Sequence, residues 1–245
     1  MTSFDEFQYF TKITNLGNGE TNAAFYNCTN IERISLPPSL TTFSYGAFNG
    51  DSKLQEITIP GVVSSTTAVF RGCTRLNKLN ITSLENYLKC NWGSNTEMHP
   101  FGMSNSGSLY LNGTEITEIT SFPSTITQLK NFAFYGCTGL TKIVIPSNIT
   151  SIGMLAFGEC SQLDGEITIP STVSLGSRAF DGCSSLTSLY IYSNISDSTL
   201  SFVNSIGNGT GTLYIDKDYQ TAQRQQKLRF KTIIFNGDLI YTYQN

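Results

Sequence analysis

The sequence predicts a β-rich solenoid: coils of about 23 residues stacked so that their strands form a parallel sheet, with one irregular insertion and a cap at each end. Three observations predict it. A five-residue phrase returns at a fixed step. An apolar–polar–apolar triplet sits between its copies. Both ends abandon the pattern for sequence that suits short capping structure.

The phrase is Ala-Phe-x-x-Cys. It reads Ala24-Phe25-Tyr26-Asn27-Cys28, Ala133-Phe134-Tyr135-Gly136-Cys137, Ala156-Phe157-Gly158-Glu159-Cys160 and Ala179-Phe180-Asp181-Gly182-Cys183. Two variants are Ala47-Phe48-Asn49-Gly50-Asp51 and Val69-Phe70-Arg71-Gly72-Cys73. The successive steps are 23, 22, 64, 23 and 23 residues.

The triplet is usually closed by proline: Ile34-Ser35-Leu36-Pro37, Ile57-Thr58-Ile59-Pro60, Ile143-Val144-Ile145-Pro146 and Ile167-Thr168-Ile169-Pro170. Weaker copies are Leu79-Asn80-Ile81, Leu189-Tyr190-Ile191, Leu213-Tyr214-Ile215 and Ile233-Ile234-Phe235. Such alternation is that of a half-buried strand, and proline removes the next amide donor and ends the pairing. Pairs such as Ile149 and Ile152 add further inward aliphatics. One coil of this length cannot bury its own apolar face, but a stack of coils covers each member with its neighbours. Equivalent residues then form ladders of Ile/Leu, Phe and Cys along the axis.

The cysteine ladder has two readings, disulfides or metal ligands on one side and small buried hydrophobes on the other. One cysteine per coil supplies no local CxxC or CxxH cluster, and Asp51 stands in the cysteine position of one coil. Reduced, buried thiols are expected.

The run from Leu140 to Cys160, Leu-Thr-Lys-Ile-Val-Ile-Pro-Ser-Asn-Ile-Thr-Ser-Ile-Gly-Met-Leu-Ala-Phe-Gly-Glu-Cys, resembles the BspA-type leucine-rich repeat. The resemblance covers roughly residues 11–215. It implies leucine-rich repeat coils, a binding or adhesive role of the kind met in surface proteins of gut and oral bacteria and some mucosal parasites, and no shared catalytic residues. It does not imply a ligand.

One domain, residues 1–245, is expected, with a cap over 1–12, an insertion over 82–113 and a second cap over 216–245. At the N-terminus Ser3-x-x-Glu6 followed by Phe7, Tyr9 and Phe10 predicts a helical turn covering the first coil. The long step hides the insertion. Thr82-Ser83-Leu84-Glu85 has capping-box form and predicts a short helix to about Lys89. Trp92 and His99, the only residues of their types, follow. Asn112-Gly113 predicts a type I′ hairpin. The stretch reads either as a recognition insertion or as a distorted coil packed against its neighbours. Residues 218–227 are polar and suit a helix, with acid first and base last as the helix dipole prefers. A second Asn-Gly hairpin is expected at Asn236-Gly237.

Chemistry is sparse. The net charge is −3 and no Lys/Arg run exceeds two residues, so nothing marks a nucleic-acid or anionic-membrane surface. No apolar run is long enough to span a bilayer. The single histidine limits triads to His99, and a Cys90–His99 dyad is the one conceivable pair. Phosphate-binding glycine loops, paired carboxylates and a calcium loop are all missing. Six Asn-x-Ser/Thr sequons, at Asn27, Asn80, Asn112, Asn148, Asn194 and Asn208, reflect a chain rich in those residues. A non-catalytic chain without cofactor or metal is therefore expected, monomeric and binding a protein or glycan.

The expected binding residues are Tyr190, Tyr214 and Tyr192, on a strand row that becomes aromatic toward the C-terminus, where the two in-register rings would form a flat platform. Trp92 is the rival anchor. The acidic start, Asp5 and Glu6, lacks the form of a signal peptide, and a cell-surface or secreted location would require a trimmed leader. The alternative to an adhesin-like module is a structural segment of a larger surface or phage-tail assembly.

Overall fold

The computed structural model describes residues 2–17, 23–192, 211–215, 232–235 and 238–242. The triplets do form the sheet strands, and these pair in register between coils. One sheet runs Ser3–Phe4, Arg33–Ser35, Glu56–Ile59, Lys78–Ile81 and Ser108–Leu111, all parallel, closed by Thr114–Glu115 running antiparallel. Two further strands, Glu118–Ile119 and Lys142–Ile143, pair in parallel. The next sheet runs Gly165–Ile169, Leu186–Ile191, Thr212–Ile215 and Thr232–Phe235, again parallel, with Asp238–Thr242 antiparallel at its edge. The strand Glu118–Ile119 belongs to a coil that the repeat reading passed over.

In-register pairing stacks like on like. Ile34, Ile57, Leu79 and Leu109 occupy one inward row and are buried. Ile167, Leu189 and Leu213 do the same in the later sheet. Each such side chain contributes roughly 1.5–3 kcal/mol on burial. Short strands on another side of the coil add their own ladders, Thr42–Phe43 on Ser64–Ser65, and Gln128–Leu129 on Ser151–Ile152 on Ser174–Leu175.

The Ala-Phe-x-x-Cys phrase builds the opposite turn. Phe25, Phe48 and Phe70 stack with centroids 5.3 and 5.5 Å apart, and Phe134, Phe157 and Phe180 with 5.3 and 5.1 Å, all with nearly parallel planes. Backbone bonds run between coils beneath them, such as Phe48 N–H to Val69 O (2.9 Å) and Phe157 N–H to Ala179 O (2.8 Å). The turn needs a left-handed residue two places after the phenylalanine. Gly50, Gly72, Gly136 and Gly182 supply it without strain, while Asn27 and Glu159 adopt it at φ 59° and 60°.

The cysteines are free thiols, all buried except the half-buried Cys28. Cys73 Sγ donates to Phe48 O (3.0 Å), Cys160 Sγ to Phe134 O (3.1 Å) and Cys183 Sγ to Phe157 O (3.2 Å). Each of these carbonyls already accepts a backbone N–H of its own turn, and the thiol of the next coil adds a second donor to its free lone pair, which gives the cysteine its place in the repeat.

The insertion is a coil with its bulk turned inward. Phe70 N–H reaches Glu97 O (2.8 Å) and Gly107 N–H reaches Gly136 O (2.8 Å), so 82–113 keeps the backbone ladder on both sides. Its helix is Leu84–Lys89, but the cap is Ser83, whose hydroxyl accepts from Asn86 N–H at 3.2 Å. Thr82 instead donates to Pro60 O, and Glu85 pairs with Lys89, so the capping-box reading is displaced by one residue. Asn112 and Gly113 both have positive φ, 50° and 82°, as a type I′ turn requires.

The N-terminal expectation needs a correction. Ser3 does not cap a helix: Ser3–Phe4 extends the sheet, and a 3-10 helix follows over Asp5–Tyr9 with no side-chain cap. Phe4 and Phe7 cover Phe25, while Tyr9 and Phe10 are 75% and 51% exposed, Phe10 meeting only the outer side of Phe7 at 5.6 Å. Residues 218–227 and the turn Asn236-Gly237 lie outside the described residues, though the strands flanking that turn pair antiparallel.

Candidate binding surface

His99, the one histidine, is not set up for catalysis. The imidazole is buried, and its Nδ1 accepts from Phe101 N–H at 3.2 Å, which places any proton on Nε2. Burial pushes the pKa down to about 3, so the ring stays neutral. Its neighbours are aromatic: Trp92 at 5.0 Å, Phe101 at 5.7 Å and Tyr135 at 6.1 Å. Cys90 does not join it. That thiol bonds to the carbonyls of Gly61 and Asn86, accepts from Val63 N–H, and is pushed by burial up to about 11. The conceivable dyad is not assembled. Among the described residues no cluster of metal-ligating side chains forms, and no helix is long and apolar enough to cross a membrane.

Trp92 lies in the core, not on the surface as a binding anchor would. It is 1% exposed and packs on Tyr87 (5.8 Å) and His99. The reason is the missing Ala-Phe-x-x-Cys phrase in this coil. No ring of this coil continues the stack between Phe70 and Phe134 in the same orientation; Tyr87, which meets Phe134 at 5.9 Å, packs there with Trp92, His99 and Phe101, all buried. Trp92 as placed cannot be a surface anchor.

The three tyrosines lie elsewhere. Tyr190 and Tyr214 occupy the same register on adjacent strands, Tyr190 between the buried Leu189 and Ile191 and Tyr214 next to the buried Leu213. Strand alternation therefore turns them outward. Tyr192, two residues beyond Tyr190, is 41% exposed. Val144 and Thr168 occupy the equivalent triplet position in earlier coils and are also exposed. The first two rings do not lie side by side as a platform. They stack face to face, with centroids 4.1 Å apart and planes 6° apart. Parallel strands about 4.8 Å apart set equivalent rings one above the other, so the pair presents edges and hydroxyls outward. The Tyr190 hydroxyl donates to Glu166 Oε1 at 3.5 Å. Desolvation, then the Tyr214 and Glu166 neighbours, push the Tyr190 phenol up to about 12.

The N-terminal half of the same strand face differs. Its outward triplet residues are Ser35, Thr58 and Asn80, and beside them Arg33, Glu56 and Lys78 alternate in charge. Lys78 Nζ lies 3.3 Å from Glu56 and 4.8 Å from the centre of the Tyr110 ring. Reading single coils missed this row, because its members are about 22 residues apart and meet only through strand register.

A stacked solenoid with one open strand face is the architecture of a repeat-built binding module. The chain belongs to the BspA-type leucine-rich repeat family, whose model matches six copies over residues 2–107 and 104–208. Among solved structures, it is similar to a leucine-rich repeat protein from Eubacterium ventriosum, with 18% identity, 91% of this chain and 70% of the other covered, and a TM-score of 0.49. A leucine-rich repeat protein from Bacteroides ovatus gives 20% identity, 91% and 64% coverage and a TM-score of 0.41. A leucine-rich cell surface protein from Faecalibacterium prausnitzii gives 14%, 92% and 84%, and 0.34. No curated protein matches the chain.

Proposed function

We propose that this chain is a non-catalytic, adhesin-like module, displayed at a cell surface or secreted, that holds a host or matrix protein or a glycan on its outward strand row. The observation that carries this reading is the Tyr190–Tyr214 pair, two large amphipathic rings held outward on a sheet whose inner face is sealed. Stacked rings lose little side-chain entropy on contact, because each already fixes the other. Tyr192, exposed just past the end of the Leu186–Ile191 strand, lies beside the pair.

The test is capture on arrays of glycans and matrix proteins by the intact protein and by Tyr190→Ser/Tyr214→Ser. Both rings are partly open to solvent, so the double variant is expected to keep the native circular dichroism spectrum and melting temperature. It is expected to lose captured ligand by at least about tenfold, as removal of paired aromatic anchors does. Undiminished capture by the double variant would place the ligand on another face.

A further inference from the structure

On the strand face, the residue just before each inward Ile or Leu forms a row of its own. In register it runs Arg33, Glu56, Lys78 and Ser108, then Glu118 and Lys142, then Glu166, Ser188 and Thr212. Charges along it alternate and pair: Arg33 with Asp5 at 3.0 Å, Lys78 with Glu56 at 3.3 Å, Lys142 with Glu118 at 4.0 Å.

Lys78 sits in a three-part seat. The acid Glu56 is on the strand before it, the Tyr110 ring is on the strand after it, and Asn80 on its own strand donates to Glu56 Oε1. The same register positions in the later sheet carry Glu166 for Glu56, Tyr214 for Tyr110, and Tyr190 for Asn80. Tyr190 even repeats the Asn80 bond, donating to Glu166 Oε1. The position of Lys78 is taken by Ser188, which is short and almost wholly covered. Glu166 is exposed and makes no ion pair among the described residues. Lys142, on the coil before it, is engaged with Glu118. The acid and the aromatic edge of the seat are thus present, and the cation between them is not.

We infer that Glu166, Tyr190 and Tyr214 form a seat for a cation carried by the ligand, a lysine side chain of a partner protein. This rests on the strand-face reading above and narrows it to a protein ligand presenting a basic residue. A guest ammonium would meet the Glu166 carboxylate as Lys78 meets Glu56, but Tyr190 covers the face of Tyr214 that corresponds to Tyr110, so the ring contact falls to the Tyr190 face turned toward the Glu166 strand.

The test uses labelled hexalysine, hexa-acetyl-lysine and four proteins: wild type, Glu166→Gln, Ser188→Lys and Glu32→Gln. Glu32 is an exposed acid outside the row, so its change alters net charge equally. Hexalysine is expected to bind wild type and the acetylated peptide to fail. Glu166→Gln, and Ser188→Lys by filling the seat from within, should each weaken hexalysine by about tenfold. Glu32→Gln should weaken it by less than about twofold. Equal losses in Glu166→Gln and Glu32→Gln, or equal binding of both peptides, would overturn the inference. Should Ser188→Lys melt early, Glu166→Gln decides alone. If array capture depends on the tyrosine pair but not on Glu166, the cation seat falls and the strand-face reading survives. If capture is indifferent to the tyrosines as well, both fall.

Discussion

Phe157→Ala is expected to destabilise the protein by about 3–5 kcal/mol, the usual cost of truncating a buried aromatic. Phe157 is fully buried, with Phe134 at 5.3 Å on one side and Phe180 at 5.1 Å on the other. Alanine removes both stacks and leaves a cavity that neither neighbour can fill, since each is held by its own coil. Phe25→Ala removes as many atoms, and Phe4 and Phe7 cover that ring. Yet Phe25 lies beside the end of the stack. A coil there can fray with its cap while the rest stays folded, so the loss is bounded by the stability of that end. Urea unfolding of the two variants measures the difference. Equal and small effects at both positions would contradict a core built from mutually covering coils.

Asp51 gives the second large effect, and its sign is unusual. The carboxyl occupies the cysteine position of its coil, is fully buried, and accepts from Cys28 N–H at 2.7 Å through Oδ1. Its Oδ2 has no partner. In sister coils the group at this place donates to the preceding phenylalanine carbonyl, as Cys160 does to Phe134. A carboxylate cannot donate, whereas a protonated carboxyl can. Burial raises the pKa to about 8, against about 3.9 for an unfolded aspartate. The folded state therefore holds a proton between about pH 4 and pH 8 that the unfolded chain has released. Stability from this group is full below about pH 4 and is lost as pH rises toward about 8, opposite to an ordinary paired carboxylate. Asp51→Cys restores the donor of the sister coils. It should gain about 1–3 kcal/mol at pH 8, the cost of a buried polar group left unsatisfied, and flatten the decline with pH. A variant less stable than wild type at pH 8, with an unchanged pH profile, would contradict this assignment.

The coil architecture was legible because a stack repeats its demands. Each turn needs a phenylalanine, a small buried donor and an alternating strand, so the same letters return at the same step. Sites that depend on one coil were less legible. Trp92 looked like a surface anchor because it is rare, but rarity says nothing about direction, and the absent phenylalanine of its coil decides that it points inward. Tyr9 and Phe10 looked like cap residues, yet the short 3-10 helix turns only Phe7 to the core. The tyrosine pair could be named from alternation alone. Its stacking, and the row of Glu56, Lys78 and Glu166 beside it, required knowledge of which strands pair and in what register.

The account rests on coils that seal one another, and thiol labelling tests that most directly. In native protein Cys73, Cys137, Cys160 and Cys183 are fully covered, while Cys28 near the end is only half-buried. Burial raises all five thiols, which suppresses the reactive thiolate as well as access. The four covered cysteines, and the equally buried Cys90, are expected to label slowly, at the rate of unfolding, and completely in denaturant, with Cys28 reacting first. Rapid labelling of Cys137 and Cys160 in the folded protein would contradict the stack.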